Sequence, residues 1–105
     1  TTTEPAFIMV FTDPAIDQGI SADMHYRRIV EPFFNFYLAR LCQQCCAAGG
    51  LALDVGANFG YYSLFFAKMG CRVHAFEPVQ IFRSFIAAGA ALNHGARITV
   101  HDHVM

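Results

Sequence analysis

A short apolar run, Leu51-Ala52-Leu53-Asp54-Val55, leads directly into Gly56-Ala57-Asn58-Phe59-Gly60, and Glu77 follows Asp54 by 23 positions. Glycines at 56 and 60 let the backbone bend tightly and approach a ligand with no side chain in the way. A helix opening after the second glycine would aim free N–H groups at whatever binds there. Asp54 places a carboxylate at a strand tip, suited to an ammonium group or an ordered water. Glu77 falls near the ~20-residue spacing at which an acid accepts both hydroxyls of a ribose. Together these residues suit an adenosine-containing ligand.

Nicotinamide and flavin dinucleotides use a similar layout, but with G-x-G-x-x-G cradling a doubly charged pyrophosphate. Here Asn58 stands where the second glycine would admit the pyrophosphate, and Tyr62 or its neighbours occupy the place of the third. A phosphate-binding P-loop is excluded because Gly-Lys-Ser/Thr is absent. A ligand with an amino-acid end and no pyrophosphate fits better. Taken singly, Asp54 could only cap the turn, and Glu77 before Pro78 could only favour a helix start. The joint order of strand, glycine turn, helix, strand and acid is what favours ligand binding.

Other chemistry-bearing residues are weaker. His101-Asp102-His103 puts two imidazoles on one face of a strand, but no third metal ligand accompanies them, so they read as surface or chain-end residues. Cys42-x-x-Cys45 has the spacing of half a zinc site without the other half. With Cys46, these two fall in an expected helix, where cysteine behaves as a small hydrophobe. No metal site is expected. No disulfide framework is legible among Cys42, Cys45, Cys46 and Cys71, which favours a reducing compartment such as the cytoplasm.

The elements that must position these groups follow from punctuation and periodicity. Phe7 to Phe11 reads as a strand or packed extended segment ending at Thr12-Asp13-Pro14. From Asp23 onward Tyr26, Val30, Phe33, Tyr37, Leu41 and Cys45 form a helical stripe. Pro32 either kinks that helix or opens a new one, which ends at Gly49-Gly50. The aromatic residues Phe33, Phe34, Phe36 and Tyr37, with Phe65 and Phe66, are expected in the core.

Then come a strand over Leu51 to Val55, a helix over Tyr61 to Met69 capped by Gly70, and a strand over Cys71 to Phe76. A helix carrying Val79, Phe82, Ile86 and Ala90 ends at Asn93-His94-Gly95, and a strand runs from Arg97 to His101. Strands alternating with helices imply parallel βαβ units with right-handed crossovers. The fold class is therefore α/β, half of a Rossmann-like sheet, whose ligands sit outside the carboxyl ends of the strands. Residues 1–49 form a lead-in strand and helix, and residues 50–105 the first half of a cofactor-binding domain.

The string from Leu53 to Ser63, Leu-Asp-Val-Gly-Ala-Asn-Phe-Gly-Tyr-Tyr-Ser, followed by Ala75-Phe76-Glu77-Pro78, resembles the FkbM family of S-adenosylmethionine-dependent methyltransferases. The resemblance is strong from about Asp54 to Val100 and weaker over the lead-in. It implies that Asp54, Gly56, Ala57, Asn58, Phe59 and Gly60 bind S-adenosylmethionine, with Asp54, Gly56, Asn58 and Gly60 around its methionine end and Glu77 on its ribose. Tyr61 and Tyr62 would start the helix and pack. It also implies a larger, mostly parallel sheet, of which this chain supplies three strands. The strand Leu51 to Val55 would then have an unpaired apolar edge. The reaction implied is methyl transfer, typically to a hydroxyl of a small molecule such as a sugar or secondary metabolite, or of a glycan. The parts forming the acceptor site and any catalytic base would lie beyond Met105.

Totals agree with an incomplete unit. The chain has 105 residues, 55% hydrophobic and 14% charged, where roughly 25% charged is usual. The apolar excess is expected to face elements that this chain does not contain. A net charge of −1 without a basic cluster excludes an electrostatic nucleic-acid face. No apolar run approaches the ~20 residues of a membrane span, and Thr1-Thr2-Thr3-Glu4 does not begin a signal peptide. The alternatives are a non-catalytic remnant or partner-binding domain, and a nicotinamide-dependent oxidoreductase, against which the missing third glycine argues.

Overall fold

The computed structural model describes residues 5–12, 19, 21 and 32–104. The expected turn at Asp13-Pro14 and the stripe positions Tyr26 and Val30 lie outside the described residues. Among the described residues from 32 onward, three helices and three strands follow in the order α1 (Pro32–Ala47), β1 (Leu51–Val55), α2 (Tyr61–Lys68), β2 (Arg72–Phe76), α3 (Gln80–Leu92) and β3 (Arg97–His101). The described part of helix α1 begins at Pro32, a residue whose fixed φ suits a first turn; whether proline kinks or opens the helix turns on residues outside the described ones. It closes with Gly49 at φ 76°, whose N–H donates to Cys46 O while that of Gly50 donates to Cys45 O.

All three strands are parallel in the order β1-β2-β3. Leu51, Arg72 and Arg97 share one end of the register, and Val55, Phe76 and His101 the other. Because the strands advance in one direction, right-handed crossovers put α2 and α3 on the same face. That face carries Val73 beneath Phe65 and Tyr61, and Ala75 beneath Ile86. The opposite face presents Leu51, Leu53 and Val55, all half-exposed or more, beside His74, Phe76 and His101. Strand β1 is an edge of this three-stranded sheet, in keeping with the expected apolar edge. This α/β arrangement is compatible with part of a Rossmann-like sheet.

Helix α1 corrects the expected stripe. Phe33, Tyr37 and Leu41 are 86%, 67% and 68% exposed, and Cys45 is exposed too. The buried row is Asn35, Leu38, Ala39, Cys42 and Cys46, itself at helical spacing. The helix is apolar around most of its circumference, so periodicity gives no single inward direction. Docking is set by specific partners instead: Tyr61 Oη donates to Asn35 Oδ1 at 2.6 Å, both groups buried. Of the aromatic group expected in the core, Phe65 is fully buried and Phe66 partly so, while Phe33, Phe34, Phe36 and Tyr37 are half-exposed or more.

The cysteines bring a second correction. Cys46 in the last turn of α1 and Cys71 just before β2 form a disulfide, while Cys42 is a buried free thiol and Cys45 an exposed one. The partners lie 25 positions apart and meet only because α1 lies over the start of β2. Disulfides persist in oxidising surroundings, so the support that cysteine usage lent to a reducing compartment is withdrawn. Among the described residues no helix is long and apolar enough to cross a membrane.

The run Phe7 to Phe11 is packed against the helices but forms no strand. Phe7 meets Tyr61 and Phe65 edge-on, at 5.3 and 6.5 Å between ring centres. Its backbone is held by Asn93, just past α3, whose Oδ1 accepts the Ile8 N–H at 2.7 Å. Asn93 Nδ2 donates to the Ile8 and Gly89 carbonyls at 2.6 Å each. One carboxamide thus gives the segment the donor and acceptor that a neighbouring strand would have offered. Asn93→Ala is expected to cost about 1–3 kcal/mol, because the Ile8 groups lose partners in a partly buried place. Denaturant midpoints check this, together with faster proteolysis within residues 5–12. An unchanged midpoint would show that the clamp contributes nothing.

Candidate functional site

The groups singled out from the sequence meet at the carboxyl end of the sheet. Beyond β1, the Gly56 and Ala57 N–H groups both donate to Phe76 O, at 2.8 and 3.1 Å. The Glu77 N–H donates to His101 O at 3.0 Å. The loops after β1 and β2 are therefore stitched to the neighbouring strand ends, which holds the glycine turn over β2. Gly56 lies at φ 71° and Gly60 at φ 90°. At Gly60 a β-carbon would also stand 2.9 Å from Ile86 Cγ1, so glycine is required there both for backbone conformation and for the approach of α3.

Asp54 lies at the end of β1 with its Oδ2 accepting the hydroxyl of buried Ser63, in the first turn of α2, at 2.7 Å. Asn58 takes the left-handed conformation, φ 58°, which asparagine tolerates better than most residues. Its N–H donates to Glu77 Oε1 at 2.7 Å, and its side-chain Oδ1 is buried without a hydrogen-bond partner. A buried orphan acceptor is uncommon and calls for a donor. Glu77 is 5% exposed and bonds the Val79 N–H through Oε2 at 2.9 Å.

Ala57 and Phe59 are placed differently. Ala57 packs with Ala75 and Ile86, and Phe59 is buried against Phe82 and Phe85. Their side chains anchor the turn to α3 and the sheet and are not free to meet a ligand. Tyr61 and Tyr62 open α2 and pack, as expected: Tyr61 against Phe7 and Asn35, Tyr62 against Phe34.

Burial pushes the Asp54 carboxyl above its ordinary range. Hydrogen bonds from Ser63 oppose that push, and the Glu77 charge adds a smaller upward one. A raised folded value means that the native state holds this proton more tightly than the unfolded chain. The resulting stability is complete below the ordinary aspartate value and is lost as pH rises through the raised one. Asp54→Asn keeps an oxygen for Ser63 and has no such proton, so the mutant is expected to lack this fall. Urea midpoints of both chains from about pH 4 to about pH 7 test it. Parallel curves would assign the dependence to another group.

Sequence reasoning missed a neighbouring hollow. An open cavity of about 520 Å³ beside the end of β3 is lined by Gln80, Arg83, Ser84, Ala87, Val100, His101 and Asp102. Arg83 Nη1 bridges it to the acid loop by donating to the Glu77 and Pro78 carbonyls at 3.0 and 2.6 Å. The available signal was position: these residues start the helix after the acid or end the next strand, where ligands of such sheets gather.

His101 and His103 stand 5.8 Å apart between ring centres, but the nearer partner of His101 is His74 of β2, with Nδ1···Nε2 at 2.8 Å on the open face of the sheet. Among the described residues no three His, Cys, Asp or Glu side chains are arranged to hold a metal ion. Comparison with protein-family models, with curated proteins and with solved structures finds no match.

Proposed function

We propose that this chain is the cofactor-binding part of an S-adenosylmethionine-dependent methyltransferase of the FkbM type, acting by O-methyl transfer to a hydroxyl of a sugar or secondary metabolite. The observation that carries the proposal is the turn at Asn58: a buried carboxamide oxygen lacking a donor, in the loop that follows Asp54 of β1 and is bonded to Glu77. An acceptor flanked by acids favours a ligand end rich in N–H donors and positive charge.

S-adenosylmethionine fits that requirement, since it carries an ammonium and a sulfonium. A dinucleotide fits poorly. Its pyrophosphate would meet two carboxylates, and the Asn58 N–H needed to cradle it is already given to Glu77. This favours the methyltransferase reading over the oxidoreductase one.

When bound, the cofactor supplies an electrophilic methyl group. The part of this chain is to bind and orient: Asp54, steadied by Ser63, would receive the ammonium, and Asn58 Oδ1 would take a second N–H. Gly56 keeps the approach clear, while Gly60 lets the turn close against Ile86 of α3. Holding two reactants in line can by itself provide much of the rate of such a transfer.

Equilibrium dialysis with labelled S-adenosylmethionine and NAD tests this on the unaltered chain and on Asp54→Ala. S-adenosylmethionine is expected to be retained without competition from NAD. Asp54→Ala should weaken it about tenfold or more, the worth of one hydrogen bond to a charged group. Retention of NAD but not S-adenosylmethionine would defeat the proposal.

A further inference from the structure

His101 and His103 read from the sequence as two imidazoles without a third, and β2 brings one that no spacing shows. On the open face of the sheet His74 is in register with Thr99, and Phe76 with His101, so His74 and His101 sit diagonally across neighbouring strands. His74 Nδ1 and His101 Nε2 face each other at 2.8 Å, with ring centres 5.1 Å apart and planes inclined by 18°. Phe76 stacks on His101 at 4.6 Å between ring centres and steadies that ring. Both imidazoles are partly buried.

In a neutral pair one of the facing nitrogens carries hydrogen and the other a lone pair. Moving that hydrogen to the outer nitrogen of its own ring changes no charge and leaves two lone pairs on one gap. A tetrahedral zinc ion, about 2.0–2.1 Å from each nitrogen, holds such a pair about 3.3 Å apart. The two rings therefore need to part by only about 0.5 Å from their present 2.8 Å. Imidazole suits zinc, copper and nickel. A chelate of two imidazoles needs no third protein ligand, because water can fill the remaining positions of an open site.

We propose that His74 Nδ1 and His101 Nε2 form a two-imidazole site for a divalent transition-metal ion of the zinc class. The ion ties β2 to β3 on the face opposite α2 and α3, beside the bond from the Glu77 N–H to His101 O. The site shares no residue with the turn at Asn58, and its test is independent of the cofactor reading.

Zinc chloride is titrated into the whole chain carrying 15N-labelled histidine. Saturable shifts are expected at His74 Nδ1 and His101 Nε2, while the exposed His94 keeps its signals. His74→Asn and His101→Gln place an amide where the ligating nitrogen stood. The amide keeps a hydrogen bond across the pair, but its carbonyl is a poor zinc ligand. Without zinc both variants should therefore unfold at the midpoint of the unaltered chain. In calorimetric titration each should bind zinc about tenfold or more weakly, whereas Cys45→Ala, which removes the exposed thiol, should keep the affinity. Unmoved His74 and His101 signals at saturating zinc would show that the pair only shares a hydrogen, and would overturn the proposal. So would a zinc affinity that is lost in Cys45→Ala and kept in His74→Asn.

Discussion

Phe65→Ala is expected to destabilise the chain by about 3–5 kcal/mol, the usual cost of emptying a fully buried aromatic site. Phe65 is 1% exposed and packs in one cluster with Leu38, Ala39 and Cys42 of α1 and Val73 of β2, with Phe7 meeting its ring edge-on. Few of these neighbours can collapse into the gap, because the Asn35–Tyr61 hydrogen bond and the Cys46–Cys71 bridge hold α1 in place. Against a total of about 5–15 kcal/mol for an ordinary domain, this loss would leave little native state. The natural control is Phe33→Ala on the same helix system, at a residue 86% exposed, where a change within about 0.5 kcal/mol is expected. Urea denaturation of the three chains decides it. Equal losses at both positions would mean that α1 docks through the Phe33, Tyr37 and Leu41 face after all.

Opening the Cys46–Cys71 bridge is expected to cost about 3–4 kcal/mol. The bridge closes a loop spanning 25 positions, and the chain-entropy account assigns a loop of that size a stabilisation in this range. Cys71→Ala, or reduction of the unaltered chain, should lower the denaturation midpoint by a similar amount. Cys45→Ala, at the exposed free thiol, should leave it in place. Burial, with the neighbouring Cys45, pushes the Cys42 thiol up, which makes it a poor nucleophile toward the adjacent bridge. Because Cys46 and Cys71 are joined, thiol titration of the chain unfolded without reductant should find Cys42 and Cys45 alone. Reactivity of all four cysteines, with no effect of reductant on stability, would show that the pair does not form.

The two experiments bear on the site although neither residue touches it. The bridge and the Phe65 cluster lie behind the glycine turn, at the base of α2, whose first turn carries Ser63 to Asp54. A chain weakened there would present fewer formed sites at a given temperature. An intact site affinity with a reduced number of sites is the signature that separates this from damage at Asp54 or Asn58.

What the sequence determined by itself was everything encoded within a few residues of its own position. Gly49-Gly50, Gly56, Gly60, Gly70 and Pro32 punctuate the chain, and the change from helical to strand rhythm between them located β1, α2, β2, α3 and β3 nearly to the residue. Parallel pairing and the gathering of Asp54, the glycine turn and Glu77 at one end of the sheet followed from the βαβ order. The tertiary structure alone decided which side of α1 is inside, because Phe33, Phe36, Tyr37 and Leu41 make its outer side as apolar as its inner one. It alone joined Cys46 to Cys71, Asn93 to Ile8 and His74 to His101, since such pairs are made by packing and leave no trace in spacing. Glu77 shows both halves at once. Its place at the tip of β2 is local and legible, whereas the use of its carboxylate depends on the Asn58 N–H, 19 positions away, turning toward it.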